Sequence, residues 1–216
     1  MTEFSLDSSR KVLIRLSAAL ATGNLRRLEE VFREAAHEVD PAAVEEGILQ
    51  SYLFLGYPAA LNALALWRSV SGEVAGEEAH DGWRAWSARG EEVCRIVYGG
   101  QYERLRRNVR DLHPDLERWM VVEGYGKVLG RPGLDLATRE LCIAALLAVL
   151  NTPRQLYSHL RGALNAGASP EEVEETLKLV FQEVPELERW DVQQIWDRVK
   201  TRRGSSRELR DGGRSR

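Results

Sequence analysis

The chain has 216 residues, 44% of them apolar, and a formal net charge of −3. That length holds one large domain or two small ones with a real core, and the near-neutral balance offers no basic field for nucleic acid or a membrane surface. The opening MTEFSLDSSR has neither the basic start nor the apolar stretch of a signal peptide, and no run of about 18 apolar residues occurs, so a cytoplasmic protein is expected.

Apolar residues recur at spacings of three and four without sustained alternation, which predicts an all-α fold. Helices are predicted near 8–22, 25–37, 41–55 and 58–71, then 77–97, 100–110 and 114–129. Four more follow near 135–150, 153–166, 169–182 and 186–201. Asp135 caps the helix after Pro132-Gly133, and Gly167 closes the helix before Ser169-Pro170-Glu171-Glu172. That tetrapeptide supplies an N-cap, a proline at the first helical position and a capping-box glutamate. The segment 201–216 is charged and rich in glycine and serine, so it is expected to be mobile, with no assigned role.

A shift of 129 residues lays Asp40-Pro41-Ala42-Ala43-Val44-Glu45-Glu46 on Ser169-Pro170-Glu171-Glu172-Val173-Glu174-Glu175, Arg10 on Arg139 and Ile14 on Ile143 without a gap. This predicts one helical unit present twice, in 1–75 and 113–200, joined by helices over 76–112; chance similarity of amphipathic helices is the alternative. In this register Lys11 lies opposite Glu140 and Glu30 opposite His159, which assigns any chemistry to the second copy.

Glu140 and His159 are the candidates for that chemistry. The helix 135–150 is apolar all round from Leu141 onward, and Glu140 shares a face with Leu136, Ala137, Ile143, Ala144 and Leu147. On the next helix His159 shares a face with Leu156, Gly162, Ala163 and Ala166, where small residues permit close approach of another backbone. A buried carboxylate requires a partner, and a short link at Asn151-Thr152-Pro153 makes these helices antiparallel neighbours. Such a pair can hold a proton near neutral pH and pass it on. The alternative is a satisfied core histidine beside a bridging glutamate.

Other features are plainer. His37, His80 and His113 lack metal-ligand spacing, and no glycine-rich phosphate loop occurs, so neither metal nor cofactor is expected. Cys94 and Cys142 form no CxxC. The six tryptophans read as core or interface anchors, with Trp83 or Trp86 expected at a subunit contact. Arg104, Arg106, Arg107 and Arg110 read first as a solvated face paired with Glu103 and Asp111, and second as an anion site.

The stretch RPGLDLATRELCIAALLAVLNTPRQLYSHLRGALNAGASPEEVEETLKLV, 131–180, resembles the carboxymuconolactone decarboxylase family, which includes the alkyl hydroperoxidase D branch. HPDLERWMVVEGYGKVLG, 113–130, resembles the approach segment, and YLFLGYPAALNAL, 52–64, a second, degenerate unit. The hydroperoxidase branch carries a glutamate, a CxxC pair and a histidine 19 residues after the glutamate; here 159 − 140 = 19, but Thr152 and Gln155 occupy the cysteine positions. A dithiol cycle lacks its thiols, so the hydroperoxidase reading is the alternative rather than the expectation. The resemblance implies a cofactor-independent lyase acting on a small carboxylated lactone or ketoacid. In it His159 is general acid/base, Glu140 orients it, Arg131 and Arg139 clamp a carboxylate, and Tyr125 lines the substrate site. It also implies a homo-oligomer, a trimer or hexamer, although a fused double unit could satisfy the same contact within one chain. A non-catalytic scaffold of the same fold is the third reading.

Overall fold

The computed structural model describes residues 5–74, 81–184 and 189–211, and among these no strand occurs. The fold is all-α. The first three helices are α1 (Ser8–Thr22), α2 (Leu25–Glu38) and α3 (Pro41–Ser71). Their starts are fixed by side-chain caps: Asp7 accepts from Arg10 N at 2.8 Å, Asn24 from Arg27 N at 3.2 Å and Asp40 from Ala42 N at 2.9 Å. Gly23 closes α1 with φ 68°, a left-handed turn that glycine adopts freely. The break expected between residues 55 and 58 lies inside α3. Gly56, at φ 79° and ψ 169°, interrupts the helical path just before Pro58.

The middle of the chain forms α4 (Trp83–Tyr98), a 3-10 turn (Gly99–Gln101), α5 (Tyr102–Leu112) and α6 (Pro114–Trp119). The helix predicted from 77 thus begins at Trp83, and residues 75–80 lie outside the described ones. The predicted helix 114–129 divides at Met120, and Met120–Leu129 is a π-helix. This π segment packs tightly on α4. A Cβ on Gly90 would stand 2.0 Å from the Val121 carbonyl oxygen, and one on Gly126 would stand 1.9 Å from that of Trp86. Only glycines let the two backbones meet so closely.

The last third consists of α7 (Leu136–Val149), α8 (Pro153–Asn165), α9 (Pro170–Glu183) and α10 (Arg189–Asp211). Residues 138–148 of α7 are all buried, as its unbroken apolar character requires. Ser169 and Glu172 form the expected capping box. Helix α10 continues past 201 to Asp211, into the segment expected to be mobile.

Helix α1 packs along α7 in the centre, and residues 129 apart play matching parts. Asp40 and Ser169 cap α3 and α9, and Trp67 and Trp196 are both wholly buried (169 − 40 = 129; 196 − 67 = 129). The first helix of each half also reaches the third helix of the other. Arg10 of α1 pairs with Glu172 of α9, and Arg139 of α7 pairs with Glu46 of α3 at 2.8 Å.

Candidate functional site

Glu140 lies in the second turn of α7 and is 0% exposed. The turn to α8 is tight: Asn151 has φ 50°, the Thr152 hydroxyl donates to the Leu147 carbonyl at 3.2 Å, and Pro153 opens the next helix. This brings His159 back beside Glu140, with Nδ1 2.8 Å from Oε2. His159 is 7% exposed. Gly162, one turn further along α8, makes the contact possible. A Cβ there would stand 2.3 Å from Glu140 Oε2 and 2.8 Å from Val97 Cγ1. The small-residue face of α8 thus admits a carboxylate, not a second backbone.

A carboxylate accepting from Nδ1 fixes the imidazole tautomer, with the hydrogen on Nδ1 and the lone pair on Nε2. Glu140 Oε1 is buried and accepts no hydrogen bond among the described residues. Behind the carboxylate stand Cys94 and Tyr98 of α4 and Tyr125 of the π segment. The Tyr125 hydroxyl donates to that of Tyr98 at 2.8 Å. Burial raises the pKa of both phenols, and the charge of Glu140 adds to the shift. Burial likewise pushes the Cys94 thiol up to about 12 and the Cys142 thiol up to about 11. Both are buried thiols rather than nucleophilic thiolates. Phe54 of α3 packs against the imidazole, with ring centroids 6.0 Å apart and planes at 82°.

Both expected clamp arginines are engaged with Glu46. Arg139 is 0% exposed. Its donors are used by Glu46 at 2.8 Å, by Gln50 at 3.4 Å and by the carbonyls of Leu134, Arg131 and Pro132 at 3.2, 3.1 and 3.3 Å. These partners engage its guanidinium within the protein, so Arg139 is a buried cation held by Glu46. Burial lowers its pKa and Glu46 opposes the shift. Arg131 gives its Nε to the same Glu46 at 2.9 and 3.1 Å, with a partly exposed side chain. Tyr125 is 4% exposed and belongs to the layer beneath Glu140. In the 104–110 cluster, Arg106 and Arg110 both pair with Glu117 rather than with Glu103 or Asp111. Burial alone would raise the Glu117 pKa, but these two guanidinium groups outweigh it and hold the carboxyl below the usual range. Trp83 is half exposed on α4.

Glu46, Tyr98 and Phe54 were not identified from sequence. Glu46 sits on an amphipathic helix among other glutamates, and the two aromatics come from segments distant in sequence from the pair. A groove between α9 and α10, lined by Glu174, Lys178 and Trp196 among others, contains neither Glu140 nor His159. Among the described residues no group of three or more His, Cys, Asp or Glu could hold a metal, and no helix is long and apolar enough to cross a membrane.

Residues 114–180 match the model of the carboxymuconolactone decarboxylase family. The chain is 32% identical over 90 residues to the 4-carboxymuconolactone decarboxylase of Acinetobacter baylyi, an overlap of 41% of this chain and 67% of that one. The chain belongs to the carboxymuconolactone decarboxylase family. The segment that carries this membership, 114–180, includes both Glu140 and His159. A second relative of this family member is Peroxisomal protein 2 of Schizosaccharomyces pombe, 27% identical over 179 residues, covering 78% of this chain and 82% of that protein.

Proposed function

We propose that this family member is a cofactor-independent lyase acting on a small carboxylated lactone or ketoacid, with His159 as general acid/base. The observation that carries the proposal is the 2.8 Å contact between His159 Nδ1 and the fully buried Glu140. It leaves Nε2 as the nitrogen that can exchange a proton with a ligand. Decarboxylation breaks the bond between the substrate carbon and its carboxylate, releases carbon dioxide, and leaves an electron pair delocalised onto the adjacent carbonyl. Protonation of carbon completes the reaction. The imidazolium supplies that proton from Nε2 and is recharged from solvent, and Glu140 stabilises the imidazolium and holds the ring in place. Arg131 is the residue proposed to meet the substrate carboxylate.

The proposal includes two helical units, 1–75 and 113–200, with chemistry in the second alone, and a homo-oligomeric, cytoplasmic protein. The buried thiols and the absence of cysteine at 152 and 155 favour it over a peroxide-reducing dithiol.

The test is decarboxylation of a panel of carboxylated lactones by wild type, His159→Gln and Glu140→Gln, with a melting curve for each. Loss of general acid catalysis predicts a fall in kcat of about 100- to 10,000-fold for His159→Gln. Glu140→Gln, which keeps the volume and removes the charge, is expected to lose less. Two folded variants as active as wild type would refute the assignment.

A further inference from the structure

The wild-type pair has one open nitrogen, and the inference that follows rests on the acid/base reading of that nitrogen. Nδ1 of His159 is committed to Glu140, which is 0% exposed and lies against Gly162. A ligand must therefore approach from the remaining side of the imidazole. Phe54 packs edge-to-face on the imidazole, with ring centroids 6.0 Å apart and planes at 82°, and is only partly buried. It is in ring contact with the imidazole and is itself partly exposed.

Phe54 comes from the half of the chain that lacks the pair, and its mounting is unusual. Two residues later Gly56 leaves the helical path at φ 79° and ψ 169°. The regular backbone ladder is interrupted at that point, so the turn carrying Phe54 depends on side chains for its position. Tyr52 stacks on Tyr57 across the break, with centroids 5.0 Å apart and planes at 29°. The Tyr52 hydroxyl donates to Glu123 Oε1 at 2.9 Å, which ties this turn to the π segment carrying Tyr125.

We propose that Phe54 is the specificity-determining residue of the site: its phenyl ring, braced by the Tyr52–Glu123 hydrogen bond, controls access to His159 Nε2 and limits the bulk of the substrate's reacting end. A small flat ring, such as an unsaturated lactone, can pass along a phenyl face, whereas a branched or bulky group cannot.

Carbethoxylation of the full chain by diethyl pyrocarbonate, quantified peptide by peptide, reads access to imidazole nitrogen without any need for turnover. The exposed His37 and His113 serve as references in the same molecule. Phe54→Ala is expected to raise the His159 rate about tenfold while the reference rates hold, as removal of a local barrier requires. Tyr52→Phe keeps the aromatic stack and removes only the brace, and is expected to raise the rate about threefold. It also decides the matter if Phe54→Ala does not fold. An unchanged His159 rate in the folded variants, or a rise no greater than that of His37 and His113, overturns the proposal. A clear labelling response without decarboxylation in any variant would sink the lyase reading while leaving the access role intact.

Discussion

A single methyl group at position 162 would collide with the carboxylate on which His159 depends. A Cβ there meets Glu140 Oε2 at 2.3 Å with Val97 Cγ1 at 2.8 Å, so the carboxylate must shift to admit it. Gly162→Ala is expected to cost about 1–3 kcal/mol of stability by overpacking, and to remove the low-field imidazole N–H signal of His159 in proton spectra. Retention of that signal would show that the carboxylate has room to move. The pairing of Glu140 with His159 was legible because both sit on apolar faces of helices joined by three residues. The role of Arg139 was not. Its neighbour Glu46 is 93 positions away, and helix periodicity reports that a face is buried without reporting which distant charge meets it there.

At the scale of elements, the crossing of α4 with the π segment is the most exacting contact. Gly126 faces backbone, with a hypothetical Cβ 1.9 Å from the Trp86 oxygen and 2.6 Å from its carbonyl carbon. Backbone cannot rotate aside as a side chain does. Gly126→Ala should therefore cost about 3 kcal/mol, seen as a lower urea midpoint. The break near Gly56-Tyr57-Pro58 could be read from composition, because glycine and proline both interrupt helices. The change from α-helix to π-helix at Met120 could not. A π-helix differs in its hydrogen-bond register, and a ten-residue segment gives too little periodicity to tell the two apart. The continuation of α10 past 201 was likewise hidden by a glycine- and serine-rich composition that ordinarily signals an unstructured chain.

For the whole molecule, buried acids make stability depend on pH at the alkaline end. Cys94 is raised from its ordinary 9.0 to about 12, and Cys142 from 9.0 to about 11. The unfolded chain releases these protons first. The stabilising contribution is thus complete below pH 9 and declines as pH rises through the two folded values. Tyr98 and Tyr125, raised from 10.0, act in the same direction. Melting temperature is expected to fall above pH 9, and Cys94→Ala should flatten that fall even if it lowers the starting value. An identical slope in the variant would assign the effect to other groups.

The reciprocal arms Arg10–Glu172 and Arg139–Glu46 bear on what either part of the chain can do alone. Without residues 1–75, Arg139 would keep the carbonyls of Leu134, Arg131 and Pro132 but lose its counter-anion Glu46. A chain beginning after residue 75 is therefore expected to be less stable than the full chain, because a buried cation without its anion costs about 3–5 kcal/mol.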